Sequence, residues 1–336
     1  MTTRSCAAER LRSMLDTAMG VDLTHALNDP RVYEILVNPD GSVRLDCADT
    51  GRIELGLVMP QVDIERVIRL VASHARAEVH ADSPLVSAEL PGRGDVSGGE
   101  RFEGLLPPVV TGPCFCIRKP AMRVLELTDY VASGAMSEAE ADILLRAVTE
   151  RRNILVAGGT SSGKTTLANA LLAAISQLDE RVILIEDTRE LRCTAKDAVA
   201  LRTRPGLVTM SDLVRSTLRL RPDRIIVGEV RGKEALDLIK AWNTGHPGGI
   251  TTVHANSAKG ALYRLEHLIQ EGTALIPRVL IAETIDVIAY LSAPSVVNAK
   301  PRHLAELVEV SGLDARGDYA VKSLTEPYLN PSFPQP

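Results

Sequence analysis

The sequence predicts an α/β fold: a C-terminal parallel sheet covered by helices, preceded by a smaller α+β N-terminal domain. Three observations predict it. Beyond about residue 150, short strand-type runs alternate with helix-length segments. Those runs are almost continuously apolar, as in strands buried on both faces. One strand-to-helix junction reads Gly158-Gly159-Thr160-Ser161-Ser162-Gly163-Lys164-Thr165 and fits the phosphate-binding loop pattern G-x-x-x-x-G-K-[ST].

The N-terminal part opens with a helix over Ala7 to Met19, where Leu11, Leu15 and Ala18 share a face. Val32–Val37 and Ser42–Leu45 flank the turn-forming Asn38-Pro39-Asp40-Gly41 and predict a hairpin. Ile64 to His74 predicts a second helix, with Ile64, Val67, Ile68 and Val71 on its apolar stripe. After a glycine-rich bend at Glu89–Gly92, Arg101–Leu106 and Phe115–Arg118 complete a small mixed sheet. Cys114 and Cys116 fall on one face of the last strand and read as packed thiols rather than metal ligands.

A linker is expected from about Lys119 to Ser137. Ser137 and Glu140 then form a capping-box signature, opening a helix to about Thr149. Strands follow at 153–157, 182–186, 224–228, 250–254 and 286–291. Helices are expected at 164–176, 211–219, 233–242, 257–270 and 277–283. The expected division is 1–120, a linker at 121–136, the loop-bearing domain at 137–312 and a tail at 313–336. Ligands of such sheets bind at the carboxyl ends of the strands, and the polar clusters are expected there.

Bulk properties exclude several classes. With 336 residues there is length for one or two domains. A net charge of -5 argues against broad nucleic-acid binding, and 3% aromatic residues leave little for stacking on bases. No apolar run reaches the roughly 18 residues of a membrane span. Five cysteines without a C-x-x-C pair fit a reducing compartment.

In the loop, Gly158, Gly159, Thr160, Ser161, Ser162, Gly163, Lys164, Thr165 and Thr166 are the candidate nucleotide ligands. Backbone N–H groups and the helix N-terminus face the anion. Lys164 supplies a charge to the β- and γ-phosphates, and the Thr165 hydroxyl is a candidate Mg²⁺ ligand. Val182–Ile185 ends in Glu186-Asp187-Thr188-Arg189-Glu190, and Arg224–Val227 ends in Gly228-Glu229-Val230-Arg231. Glu229 is placed to orient a water on Mg²⁺. No second acid follows it, so Glu190 is the candidate base for the attacking water. His254 ends a strand and is a candidate γ-phosphate sensor, with His246 a weaker second histidine. Arg101 and Arg118 are candidate phosphate clamps.

These stretches, with Thr244-Gly245-His246 and Thr252-Val253-His254-Ala255, resemble the Walker A, Asp, Walker B and His boxes of the secretion ATPases of type II and type IV systems. Within them the chain is most similar to conjugal transfer ATPases of the TrbB type. The resemblance covers roughly residues 20–312. It implies a RecA-like C-terminal domain, ATP and Mg²⁺ as cofactors, a homo-hexameric ring and channel components of the inner membrane as partners. The implied location is cytoplasmic, with peripheral membrane association compatible. It makes Glu190 the base, Glu229 the Walker B acid, and Arg101 and Arg118 the N-terminal arginines. Ser161 departs from the glycine common in the family's loop, and the glycine-dense 92–99 stretch has no clear counterpart. A RecA-like nucleic-acid motor, a nucleotide-holding scaffold and a pilus or type II secretion motor stay open as alternatives. The acidic balance, the two glutamates and the lack of a tetracysteine set, respectively, count against them.

Overall fold

The computed structural model describes residues 3–47, 50–91, 99–120, 124–204, 206–293 and 302–325. The glycine-dense stretch at 92–98, residues 121–123 of the expected linker and the proline-rich end at 327–336 lie outside them. Contacts divide the chain into two units, residues 1–122 and 123–336.

The first unit begins with α1 (Thr3–Asn28), which bends at Gly20, a residue with φ +79°. Only glycine takes that conformation without cost, so the helix expected to stop at Met19 resumes beyond it. Strands β1 (Val32–Val37), β2 (Ser42–Cys47) and β3 (Gly51–Val58) follow, then α2 (Gln61–Ala75), β4 (Leu85–Glu89), β5 (Arg101–Leu105) and β6 (Cys114–Arg118). The hairpin forms as expected: the Gly41 N–H donates to Asn38 and the Asn38 N–H to Ser42. The sheet order is β3-β2-β1-β6-β5-β4. Every pairing in it is antiparallel, so the expected mixed sheet is corrected. Ile64, Val67, Ile68 and Val71 of α2 pack with Leu15, Leu23, Ile35, Phe102 and Ile117 into one core. Lys119, expected to start a linker, is buried instead. Its ammonium donates to the Asp29 carbonyl at 2.6 Å, close to where α1 ends.

The second unit opens with α3 (Leu127–Ala132), a short helix inside the expected linker, with Tyr130 buried. Helix α4 (Glu138–Thr149) starts on the predicted capping box. Ser137 accepts from the Glu140 N–H, and Glu140 accepts from the Ser137 N–H. Such a cap is worth about 1 kcal/mol. Then come β7 (Ile154–Gly158), α5 (Lys164–Ile175), β8 (Arg181–Glu186), β9 (Asp197–Arg202), α6 (Met210–Thr217) and β10 (Arg224–Val227). Next are α7 (Glu234–Asn243), β11 (Ile250–His254), α8 (Ala258–Gln270), α9 (Arg278–Thr284), β12 (Val287–Ser292), β13 (His303–Leu313) and β14 (Tyr319–Ser323).

The sheet order is β14-β13-β12-β7-β11-β10-β8-β9. From β12 to β9 all neighbours are parallel. The parallel sheet expected from the apolar runs is therefore present, but it continues into an antiparallel edge. Strands β13 and β14 pair antiparallel there, so residues 319–323 of the expected tail belong to the sheet.

Alternate residues of each inner strand enter different cores. Leu155, Ile183, Ile225 and Val253 pack with α6 to α9. Ile154, Val182, Ile226 and Ile250 pack with α3, α4 and α5. Both faces are thus covered, which is why these strands read as unbroken apolar runs. Two buried polar groups close the amino ends of the strands. Asn153 donates to the Thr284 carbonyl and accepts from the Gly249 N–H. Arg224 pairs with Glu180 and donates to the carbonyls of Val148 and Gly248.

Candidate active site

The phosphate-loop strand β7 lies between β11 and β12, and its last residue, Gly158, is the register partner of His254. A Cβ on Gly158 would stand 2.6 Å from the Leu291 carbonyl oxygen, so the loop can leave the sheet there only as glycine. Gly163 caps α5 with φ +95°, and Ser161 holds a left-handed φ of +59°. The latter gives a physical reason for the family's glycine at this position. The Ser162 hydroxyl is buried and makes no hydrogen bond among the described residues.

Lys164 is buried at the start of α5. Its ammonium donates to the Gly159 carbonyl at 2.8 Å and lies 3.4 Å from Nδ1 of His254. On the other side of the ring, Nε2 of His254 is 3.1 Å from a Glu229 carboxylate oxygen. With its proton on Nε2, the neutral ring turns a lone pair toward Lys164 and an N–H toward the Glu229 oxygen, a close contact that falls short of hydrogen-bond geometry. Burial, and then the charge of Lys164, holds the His254 pKa below its ordinary value, which favours that neutral form. The second Glu229 oxygen accepts from Arg231 at 2.6 Å.

Glu190 arrives from the segment after β8. The Thr165 hydroxyl donates to its carboxylate at 3.3 Å. Thr165 thus meets Glu190 directly, while Lys164 is linked to Glu229 only through the His254 ring. Gly228, beside Glu229, leaves room for the Glu186 side chain. A Cβ there would lie 3.2 Å from the Glu186 Cγ.

Of the residues the sequence singled out, Lys164, Thr165, Glu190, Glu229 and His254 come together at the carboxyl ends of the parallel strands. His246 does not. It lies in the loop before β11, at the amino end of the sheet, and its ring contacts the Ala241 carbonyl at 3.3 Å near the end of α7. That loop was expected among the carboxyl-end clusters, and the direction of β11 excludes it. Arg101 and Arg118 are register partners on β5 and β6. The acids Glu89 and Glu34 stand opposite them on the outer neighbours β4 and β1. Cys114 and Cys116 lie on the same face of this sheet as these arginines. Burial raises the Cys116 thiol to about 11, as suits a packed thiol. No metal-binding cluster is present among the described residues.

Sequence reasoning left three contributors unassigned: Arg231, which holds Glu229, and Glu186 and Asn169, which hold the Glu190 segment. An asparagine in the middle of the apolar helix Thr166–Ile175 was the available signal for the last of these.

Lysine at a helix N-terminus, reached through a tight glycine loop from a buried parallel strand, is the means by which phosphate-loop proteins hold nucleotides, and it sets the class of this one. The chain belongs to the family described as type II/IV secretion system protein, whose model matches residues 58–296. It is 45% identical over 305 residues to the conjugal transfer protein TrbB of Rhizobium radiobacter, covering 90% of this chain and 91% of that one. It is 30% identical over 309 residues to the type IV secretion system protein VirB11 of Bartonella henselae, covering 78% of this chain and 85% of the other. It shares its fold with the ATPase DotB of Legionella pneumophila, at a TM-score of 0.61 and 19% identity, covering 85% and 79% of the two chains. Among the described residues no helix is long and apolar enough to cross a membrane.

Proposed function

We propose that the protein is a Mg²⁺-dependent ATPase, converting ATP and water to ADP and phosphate, and that it powers conjugal transfer or type IV secretion as a ring-forming motor subunit. The observation that carries this reading is the convergence of Lys164, Thr165, Glu190, Glu229 and His254 around one phosphate loop. Two features of the chain fit a nucleotide with its metal. The Ser162 hydroxyl is buried without a partner among the described residues, and the metal donors Thr165 and Glu229 are oxygens, as Mg²⁺ prefers.

Thr165 would hold the metal directly and Glu229 through a water. When bound, Mg²⁺ would neutralise phosphate charge and stabilise the negative charge that builds on the leaving oxygen. Lys164 exchanges its contacts with Gly159 and His254 for phosphate oxygens. Glu190 orients the attacking water and accepts its proton. His254, released from Lys164, is free to donate to the γ-phosphate and to respond to its loss. Arg101 and Arg118, side by side on neighbouring strands, are proposed to take phosphate oxygens as well. Kinship with TrbB and VirB11 supports channel components of a conjugation or secretion system as partners, a homo-hexamer and a cytoplasmic site of action with peripheral contact to the inner membrane.

ATPase activity measured against protein concentration, with mass determined in the same samples, tests the ring. Specific activity is expected to rise as the ring assembles, and full activity in a dilute monomer would remove the ring from the mechanism. Lys164→Ala is expected to abolish turnover. Near-normal hydrolysis by that pure variant would sink the site.

A further inference from the structure

We propose that Asn169 is a positioning residue that fixes Glu190 relative to the phosphate loop. The proposal rests on the reading of Glu190 as the base. Asn169 lies on α5 four residues after Thr165, so both side chains emerge on one face of the helix. The Thr165 hydroxyl meets the Glu190 carboxylate at 3.3 Å. The Asn169 Nδ2 donates to the Glu190 carbonyl at 3.0 Å, and its Oδ1 accepts from the Arg192 N–H at 2.7 Å. One face of the loop's own helix therefore grips Glu190 by its side chain and by its main chain.

The opposite side of the segment is held as firmly. Oε1 of Glu186, the last residue of β8, accepts from the N–H groups of Glu190 at 2.8 Å and Leu191 at 2.7 Å. Asn169 is 3% exposed and Glu186 4%. The sheet thus sets where the segment leaves, and Asn169 sets how far its carboxylate stands from Thr165. Asparagine is a poor helix former, and burying its amide is costly unless both ends are bonded. Here each end is bonded, and both bonds go to the segment that carries the base rather than to α5 itself. A shift of about 1 Å in a reacting group can cost on the order of 100-fold in rate, so loss of this grip is read in kcat.

The test is steady-state and single-turnover phosphate release by Asn169→Ala, Glu190→Gln and the double variant, with nucleotide affinity measured on each. Asn169→Ala is expected to lower kcat by roughly 10- to 100-fold, with the affinity for ATP within about threefold of the parent. If Asn169 acts only through Glu190, the double variant is no slower than Glu190→Gln alone. Asn169→Asp keeps the bond to the Arg192 N–H and loses the one to the Glu190 carbonyl, so it is expected to lose kcat to a similar degree. It carries the test if the alanine variant does not fold. Parental kcat in Asn169→Ala overturns the proposal, as do losses that multiply in the double variant or a loss confined to nucleotide affinity. If Glu190→Gln loses turnover while Asn169→Ala keeps it, the proposal alone fails. Full turnover by Glu190→Gln removes the base assignment and the proposal with it.

Discussion

Gly249→Ala is expected to unseat the only tryptophan of the chain. Trp242 is 2% exposed, and its indole N–H donates to the Ile225 carbonyl at 3.0 Å. A Cβ at position 249 would lie 2.1 Å from Cε2, 2.2 Å from Nε1 and 2.5 Å from Cζ2 of that indole. Carbon contacts settle near about 3.5–4.0 Å, so the overlap exceeds an ångström. The backbone cannot retreat. The Gly249 N–H donates to Asn153, and its carbonyl accepts from the Ile154 N–H, each at 2.9 Å. The ring must therefore move and abandon Ile225. Overpacking costs about 1–3 kcal/mol, and the orphaned buried carbonyl costs a further 1–3 kcal/mol or so. A combined loss of about 3–5 kcal/mol corresponds to roughly 10 °C in Tm for a unit of this size. Thermal unfolding followed by tryptophan emission reads both consequences at once: a lower midpoint and a red-shifted native spectrum. An unchanged emission maximum with Tm within about 2 °C of the parent would refute the reasoning.

Ser161→Gly is expected to stabilise the protein by up to about 1 kcal/mol in urea unfolding, with ATPase retained, because glycine takes the left-handed φ without Cβ strain. A destabilised variant would mean that the serine hydroxyl contributes more than its backbone costs. Arg224→Ala should destabilise by about 3–5 kcal/mol, since it leaves Glu180 and the carbonyls of Val148 and Gly248 without their buried partner. A loss under about 1 kcal/mol in urea titration would show that solvent reaches those groups. The pKa of His254 lies below its ordinary 6.5, so the folded state binds fewer protons than the unfolded state as pH falls through that value. The stability tied to this group is present above 6.5 and lost below it. His254→Gln is expected to flatten the fall in stability below that pH, and an identical pH profile would exclude the histidine as its source.

Where a strand is buried on both faces, its sequence carries the signal without help, which is why β7, β8, β10, β11 and β12 were all legible. Strand β9 was not. It is a sheet edge, and its Asp197-Ala198-Val199-Ala200-Leu201-Arg202 is half exposed and weakly patterned. Strand β14, the opposite edge, was lost to the expected tail for the same reason, and β13 beside it went unassigned. In the site, the phosphate loop is contiguous in sequence, so its geometry was legible as a unit. The grip on Glu190 is not contiguous. It joins Glu186, Asn169 and the 190–192 backbone, and an asparagine in a helix says nothing by itself about which segment it will meet. His246 shows the converse error. It is only eight residues from His254 in sequence, but those eight residues cross the whole depth of the sheet.

The position of β7 between β11 and β12 also sets an order of events during synthesis. The phosphate loop leaves the ribosome long before the strands on either side of it. Gly249, which bonds Asn153 just ahead of β7, is 96 residues further on, and Asp286, which accepts from the Asn153 N–H, is 133 residues further on. At about 5–20 residues per second, the nascent loop waits on the order of 7–27 s for its flanking strands. Over that interval an apolar strand with two open edges is exposed, which makes this the stage most open to mispairing. The sheet around the loop is thus completed only in a chain translated almost to its end, and a product truncated before β11 carries the complete phosphate-loop sequence without the sheet that shapes it.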